Sequence, residues 1–364
     1  MSLPDVIVVG AGVVGASCAD ACARRGLRVE VLDAHGIGGG ATAAGMGHIV
    51  VMDDSEAQFA LTRYSQQLWQ ALVRELPKTV EYTSSGTVWV ADDDQTTTAE
   101  MDEVRRKHAY YAARGVATEI LDPRALAAAE PNLRAPLSGG LLVPGDAVVY
   151  PPCAARFLLE RNGIKVTLAP PVTDLRNLRA GHVVNAAGAG AGALTPGLPI
   201  RPRKGHLVIT DRYPGWLHHQ LVELGYLKSA HSHDGDSVAF NAQPRATGQI
   251  LIGSSRQFDA EHTTVDHALL ARMLRRASLY MPRLASLSAL RVWTGFRAAT
   301  PDSLPLIGPW SENVLLATGH EGLGITTSLA TGELIADHIT GSASAIPPEP
   351  YLPDRFSNSH ALHH

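Results

Sequence analysis

Apolar and polar positions along this chain change period again and again, and the changes mark out its elements. Asp5 to Val9 is a β-branched run that closes on Gly10. Such a run fits a strand covered on both faces in a parallel sheet. A helix beginning near Val13 and a second strand over Leu27–Leu32, ending on Asp33, follow. Phe59, Leu61, Tyr64, Leu68 and Leu72 recur at helical spacing, which predicts an amphipathic helix over about 54–75 that Pro77 ends. Gly86–Ala91 reads as a strand, and Thr98–Arg114 as a helix stopped by Gly115. Asp122 before Pro123 is an N-cap followed by proline at the first helical position, opening a short alanine-rich helix that Pro131 closes.

Gly139–Val149 is strand-like with a break at Pro144 and Gly145, and the pair Pro151, Pro152 opens a helix to about Arg161. Lys165–Leu168 and His182–Asn185 read as strands. Arg201–Ile209, Ser237–Ala242 and Gln249–Gly253 alternate between turn signals and predict an antiparallel sheet. Leu269–Tyr280 is helical; a strand over Asn313–Ala317 precedes a helix to about Ile339, and the prolines beyond Gly341 suggest an extended tail.

Within this pattern Gly10, Gly12 and Gly15 stand at G-x-G-x-x-G spacing between the first strand and the first helix. The first glycine makes a tight turn, the second admits a pyrophosphate close to the backbone, and the third lets helix and strand pack. The helix then points unpaired N–H groups and the positive end of its dipole at that phosphate. Asp33 closes the second strand, where a carboxylate can accept both ribose hydroxyls. Strand, turn, helix, strand and acid in this order make a dinucleotide site out of a motif that is weak alone. A second glycine-rich stretch, Gly36–Gly47, comes straight after the acid, where a simple NAD domain would start its next helix. That favours the longer FAD over NAD. Asn185-Ala-Ala-Gly188 ends a strand on small residues, as a nucleotide-facing sheet edge requires, although a plain tight turn reads the same way. The sequence T-G-H-E-G-L-G-I-T-T-S repeats the opening logic of strand, glycine turn and helix start. A helix N-terminus there would stabilise the negative charge of a reduced flavin ring.

Composition narrows the picture without redirecting it. A length of 364 residues exceeds one dinucleotide unit and indicates about two domains. The net charge of −4 carries no basic footprint for nucleic acid. The three cysteines Cys18, Cys22 and Cys153 form no disulfide framework, which points to a reducing, cytoplasmic compartment. Cys18 and Cys22 read as small core residues, since no second pair is spaced to complete a zinc site, and no metal is expected. No signal peptide precedes the first strand and no apolar run approaches ~20 residues, so no transmembrane segment is expected.

Taken together, G-A-G-V-V-G-A, V-V-N-A-A-G, W-T-G-F-R-A-A-T-P-D-S-L-P-L-I-G and A-T-G-H-E-G-L-G resemble the D-amino-acid oxidase and glycine oxidase family of FAD-dependent amine oxidoreductases over nearly the whole chain. R-K-G-H-L-V-I-T-D, V-A-F-N-A-Q-P and L-I-G-S-S-R-Q-F-D look most like bacterial amino-acid dehydrogenases. The flavoprotein subunits of D-hydroxyproline dehydrogenase and hydrogen cyanide synthase are among them. The resemblance implies an α/β fold with a Rossmann-like FAD-binding domain of the glutathione-reductase type, formed by residues 1–80, 140–195 and 295–345. A second, antiparallel-sheet substrate domain takes 81–139 and 196–294, and 346–364 is a tail.

The cofactor contacts expected from motif and resemblance are Gly10, Gly12, Val13, Val14, Gly15, Asp33 and Ala34 in the opening unit. Gly40, Ala41, Thr42, Gly45, Met46 and Gly47 follow in the second glycine stretch, and Val172, Ala187 and Gly188 around the middle strand. Arg297 and the run Gly319, His320, Glu321, Gly322, Leu323, Gly324, Ile325 and Thr326 complete the set. By motif match Arg297 is also the carboxylate-binding arginine, for which a planar guanidinium offering two hydrogen bonds is the right chemistry. Relatives often carry proline after this arginine, whereas this chain has Ala298. Tyr226, Phe240 and His320 are pocket candidates that could equally be packing residues. The tethering cysteine of sarcosine oxidases is missing and the sequence around His48 does not match relatives with a histidine tether, so FAD is expected to be non-covalent.

The family reading implies hydride transfer from the Cα of a small amino or imino acid, D-hydroxyproline or D-proline among them, to flavin N5. A hetero-oligomer with other dehydrogenase subunits and association with the inner-membrane periphery go with the subgroup. Two other readings stay open: a flavin-bearing electron-relay or assembly subunit, and an FAD-dependent hydroxy-acid oxidoreductase.

Overall fold

The computed structural model describes residues 3–93, 99–224, 235–258, 260 and 262–360. The chain divides into two compact units, Met1–Tyr82 with Val149–Arg203 and Phe296–His364, and Thr83–Val148 with Lys204–Gly295. Besides shifts of one or two residues at 81–82 and 295, three stretches fall on the other side of the boundary from the one the sequence suggests. Residues 140–148 belong to the second unit, because Gly139–Val143 hydrogen-bonds along Thr87–Ala91 of that unit. Residues 196–203 belong to the first unit, as does the segment expected to be a separate tail. That segment is folded into short 3₁₀ turns, Glu349–Tyr351 and Pro353–His360. Tyr351 anchors it, buried and donating its hydroxyl to Ala57 O at 2.6 Å.

The first unit holds strands β1 (Val6–Val9), β2 (Val29–Asp33), β3 (His48–Ile49), β8 (Lys165–Leu168), β9 (His182–Asn185), β15 (Leu306–Pro309) and β16 (Val314–Thr318). Its helices are α1 (Val13–Arg24), α2 (Gly40–Ala44), α3 (Glu56–Leu72), α6 (Pro151–Glu160), α7 (Ala191–Leu194) and, last, Gly324–Thr340, called α9 below. Six strands form a sheet in the order β15-β16-β9-β1-β2-β8. Every pairing is parallel except β15 with β16. The central strand β1 is wholly buried, as its unbroken apolar run requires. Ile7 and Val9 pack with Leu175, Val183 and Val314 in one apolar layer.

Helices α1 and α9 cross closely. A Cβ placed on Gly332 would lie 2.4 Å from Ser17 O, so the crossing needs a residue with no side chain. Ion pairs from Arg24 and Arg25 to Glu333, and from Arg25 to Asp337, hold the two helices together beyond the crossing. Cys18 and Cys22 are buried on α1, where desolvation pushes the Cys18 thiol well up and the Cys22 thiol to about 12. Both are therefore protonated packing residues.

The second unit holds β4 (Thr87–Ala91), β5 (Glu119–Leu121), β6 (Gly139–Val143), β7 (Ala147–Val148), β10 (Arg201–Thr210), β11 (Gln220–Glu223), β12 (Ser237–Pro244), β13 (Ile250–Arg256) and β14 (Ala289–Ala299), although β10 and β14 reach across its chain boundaries. Its helices are α4 (Ala99–Ala112), α5 (Pro123–Ala129) and α8 (His267–Tyr280). Eight strands run β14-β10-β13-β12-β11-β4-β6-β5. Antiparallel ladders join β10 to β13, β13 to β12, β12 to β11, β4 to β6 and β6 to β5, whereas β11 and β4 are parallel and join chain segments far apart in sequence. Phe240 is a core residue of this unit and not a pocket residue: it is fully buried and stacked on Tyr280 with ring centroids 4.7 Å apart. Glu223 accepts the Phe240 N–H at 2.6 Å and the Tyr280 hydroxyl at 3.0 Å while paired with Arg276.

Three helices start on the polar caps their sequences advertise. Ser55, Asp122 and Asp266 accept the backbone N–H groups of Gln58, Ala125 and Leu269 at the starts of α3, α5 and α8. Among the described residues, no helix is long and apolar enough to cross a membrane.

The crossing of α1 with α9 yields a direct test. Gly332→Ala forces a methyl into Ser17 backbone and is expected to cost about 1–3 kcal/mol. Thermal unfolding should then move down by several degrees; an unchanged melting curve would mean that the helices can separate without cost.

Candidate functional site

The G-x-G-x-x-G turn is built from backbone contacts that leave no room for side chains. Gly10 has φ +113°, and a Cβ there would lie 2.4 Å from Ala186 O. A Cβ on Gly15 would lie 1.9 Å from Gly10 O. The turn is thus pressed between α1 and the end of β9. Asn185 shapes that second wall, donating its side-chain amide to Ala191 O at 3.1 Å and Thr195 Oγ1 at 2.8 Å and accepting from Ala187 N. The Ala187–Gly188 turn is held from the other side by Thr318, whose hydroxyl donates to Gly188 O at 3.0 Å. Together these bonds turn V-V-N-A-A-G into a fixed wall for the glycine turn.

Helix α1 begins at Gly12 with no cap from its own N-cap residue and no acid in its first turn, so Val14 and Gly15 present N–H groups in the field of a dipole that no charge compensates. Asp33 sits at the end of β2 as expected, and its carboxylate is already engaged with backbone. It accepts Ala11 N–H at 2.7 Å through one oxygen, and His35 N–H at 2.7 Å and Gly36 N–H at 2.8 Å through the other. Asp33 therefore ties the first glycine turn to the entrance of the second glycine stretch, beside Ala34, and keeps lone pairs for further donors.

The second glycine stretch is not an open loop throughout. Gly40, Ala41 and Thr42 lie in the one-turn helix α2, and the segment spans from the start of α1 to the start of α9. Thr42 Oγ1 accepts Val13 N–H at 3.0 Å, which leaves its hydroxyl proton for another acceptor. Further along, a Cβ on Gly45 would lie 2.6 Å from Ile325 Cδ1, and the Thr326 hydroxyl donates to His48 O at 2.8 Å just after Met46 and Gly47. Two uncapped helix starts are joined by one glycine-rich strap, a longer binding line than a single Rossmann turn provides.

Helix α9 starts at Leu323 without a side-chain cap or first-turn acid, so the amides of Gly324, Ile325 and Thr326 are offered as those of α1 are. The preceding loop is pinned to the end of β14 by Glu321 N–H donating to Ala298 O at 2.9 Å. Glu321 has φ +48°, an uncommon conformation for a side chain-bearing residue, and its carboxylate pairs with buried Arg203. Arg297 lies against this loop: a Cβ on Gly322 would be 3.9 Å from Arg297 Nε. Arg297 is half-buried near the end of β14, the strand whose Ala298 is bonded to that loop.

His320 is turned inward. Its Nε2 lies 2.9 Å from Thr331 Oγ1, and Thr331 donates its own proton to Thr327 O at 3.0 Å, which leaves Nε2–H as the donor toward Thr331. Burial depresses its pKa to about 3, so the ring is neutral in the working range and its side chain serves packing. Val172 packs against the Ile7, Val9 and Val183 layer. Tyr226 lies outside the described residues. Residue-by-residue reading missed Arg203, Asn185, Thr318 and Thr331 as supports of the site, because each acts through a partner remote in sequence.

The residues present fit a dinucleotide with a second ring system. The backbone cradle at Gly10 and Gly15 would be filled by any Cβ, and both uncapped helix starts favour electron-rich groups. The comparisons agree. The chain is 27% identical over 423 aligned residues to hydrogen cyanide synthase subunit HcnC of Pseudomonas protegens, covering 98% of this chain and 97% of that one. It is 29% identical to glycine oxidase of Pseudomonas aeruginosa, covering 96% and 98%. The crystal structure of glycine oxidase from Geobacillus kaustophilus superposes with a TM-score of 0.85 at 25% identity, covering 98% of this chain and 99% of that one. The family model of FAD dependent oxidoreductases (DAO) matches residues 5–338, and the protein with this doubly anchored glycine cradle belongs to that family.

Proposed function

We propose that this FAD-dependent oxidoreductase dehydrogenates a small amino or imino acid at Cα, with D-proline, D-hydroxyproline and glycine as the first substrates to try. The observation that carries the reading is Arg297, a guanidinium set against Gly322 on the loop that leads into α9. A planar fork binds a carboxylate through two hydrogen bonds at once, which fixes the substrate Cα in place. The glycine oxidase and HcnC relatives support an amino-acid substrate.

Bound FAD supplies the acceptor for the hydrogen and electron pair removed from Cα. The chain's own contribution is positioning. Gly10, Gly12, Val13, Val14 and Gly15, with Thr42, would hold the diphosphate, and Asp33 beside Ala34 the ribose. The strap Gly40–Gly47 and the wall Ala187–Gly188 would flank the extended cofactor. The amides of Gly324, Ile325 and Thr326 would lie at the electron-rich edge of the ring, reached through Gly319, Glu321, Gly322 and Leu323. Neutral, buried His320 is a poor acceptor for the proton of the substrate amine.

Similarity to a hydrogen cyanide synthase subunit favours one further element: a heteromeric assembly in which partner subunits carry electrons onward. The alternative within that assembly, a relay subunit with an idle site, is separated by one measurement. Anaerobic bleaching of the flavin by any member of a panel of D- and L-proline derivatives, glycine and sarcosine supports the enzyme reading; no bleaching by any of them leaves the relay and the hydroxy-acid oxidoreductase.

Three outcomes are expected. The purified protein is yellow and releases its flavin on acid precipitation; colour kept in the pellet would show a covalent link. Asp33→Ala weakens FAD binding by roughly 1.5–3 kcal/mol, the worth of hydrogen bonds to a charged group. It also unties Ala11, His35 and Gly36, so FAD occupancy equal to wild type after dialysis would refute the assignment. Arg297→Ala leaves FAD bound but lowers kcat/KM by about thirty- to several-thousand-fold, matching about 2–5 kcal/mol for truncating one member of a buried charge pair. Arg297→Lys recovers part of it, since an ammonium keeps the charge and loses the fork; wild-type efficiency in Arg297→Ala would place the carboxylate elsewhere.

A further inference from the structure

The turn after Arg297 is held by the C-terminal segment. Arg355 donates from Nε to Asp302 Oδ2 at 2.7 Å and from a terminal nitrogen to Asp302 Oδ1 at 3.2 Å. The same guanidinium reaches Leu304 O at 2.8 Å, and Tyr351 O and Leu352 O at 3.0 Å each. One side chain therefore bonds the turn at Asp302 and Leu304 and the segment that carries it. Arg355 keeps 16% of its side-chain surface exposed and Asp302 34%, so the guanidinium is the more sheltered member of a pair at the surface. Burial acts to raise the Asp302 pKa, but the bonds from Arg355 and Leu304 N–H outweigh it, so the carboxyl stays ionised below its usual range.

The segment is itself anchored on two sides. Tyr351 is buried with its hydroxyl on Ala57 O, and a Cβ on Gly308 of β15 would lie 2.8 Å from Leu352 Cδ2. The turn it grips is compact: the Thr300 hydroxyl donates to Leu304 O at 2.7 Å, and Ser303 takes φ +60°. The far side of that turn is the wall of the site. A Cβ on Gly319 would lie 2.7 Å from Thr300 Cγ2, and Glu321 N–H bonds Ala298 O. Arg297 thus immediately precedes two fixed points, the bond at Ala298 and the turn at Thr300–Leu304, and only the second depends on the C-terminal segment.

We propose that Arg355 is a positioning residue for this site: through Asp302 and Leu304 it fixes the turn against which Gly319–Gly322 and Arg297 are set. The segment 349–356 then belongs to the working part of the molecule and is no passive tail. Loss of the clamp leaves the glycine cradle at Gly10 and Gly15 untouched, since none of its contacts reach there. It lets the Thr300–Leu304 turn and the Gly319–Gly322 loop move, and with them the guanidinium of Arg297. Binding of a carboxylate suffers, while the glycine cradle that would hold the diphosphate keeps its shape.

The test compares wild-type holoenzyme with Arg355→Ala, Arg355→Lys and Asp302→Asn, the last removing one charge with little change of shape should Arg355→Ala fold poorly. Backbone hydrogen exchange by mass spectrometry is read over residues 297–305 and 319–324, with β1 as the internal control. The expected result is exchange faster by about tenfold in both stretches, within the usual range of coupling between sites, with β1 at wild-type values. Arg355→Lys falls between, because the fork is lost and the charge kept. Faster exchange confined to 349–356 overturns the proposal. The kinetic arm rests on the amino-acid reading above: KM rises about tenfold in Arg355→Ala while kcat holds within about twofold. A wild-type flavin that no amino acid reduces would remove that reading alone, and the exchange data would still decide the role of Arg355.

Discussion

The contact between Gly10 and Ala186 is the constraint from which the first unit follows. The Ala186 carbonyl stands where a Cβ on Gly10 would be, and the Gly10 carbonyl stands where one on Gly15 would be. Only a chain without side chains at both places can bring β1, the start of α1 and the end of β9 together. Once they are together, the first α1 N–H groups face outward, with only the Thr42 hydroxyl answering the one on Val13. Asp33 then ties Ala11 to Gly36, so the turn, the second strand and the strap that follows become one piece. An anion site arises here from packing; the sequence places no cationic side chain among Gly10–Gly15.

The same device recurs at α9, and the two are linked. Thr42 meets Val13 at one end of the strap, and Gly45 meets Ile325 near the other. Two helix starts with unanswered amides separated by one strap suit a molecule that carries phosphates and, farther along, a ring that gains negative charge on reduction. The supports of the second start are costlier than those of the first. Glu321 is held in a left-handed conformation and its carboxylate is paired with a buried arginine, and strain of this kind persists only where surrounding bonds over-determine it. Ala298 O, Arg203 and the Thr300 turn supply those bonds.

Division of labour between side chains follows from burial. His320 and Arg297 are neighbours of the same loop, yet one is turned into the α9 interior and neutral, and the other stays charged at the partly exposed edge. A histidine without a charged partner loses its proton when desolvated, whereas a guanidinium does not. Of the two, only the arginine can offer a permanent positive charge to a substrate carboxylate. Phe240 illustrates the opposite outcome, a large aromatic whose stacking on Tyr280 commits it to the core of the second unit.

The sequence alone determined the elements whose signals are local. The β-branched run of β1, the glycine spacing, the Asp33 terminus, the cap at Asp122 and the proline starts of α5 and α6 need only neighbours a few residues away, and hydrophobic period plus turn chemistry identify them. Motif resemblance added the family, since its four signature stretches stand in order along the chain. Tertiary structure decided everything that depends on pairing across long separations. It assigned Gly139–Val148 to the second unit through ladder bonds to β4, made β4 and β11 parallel neighbours, and turned the expected tail into a segment bonded to Asp302 and Ala57. It also gave Asp33 three backbone donors before any ribose, sent His320 inward, and set Arg203 on Glu321. None of these can be read from periodicity, because a side chain's partner is fixed by which backbones pack together, and that is settled only when the whole chain has folded.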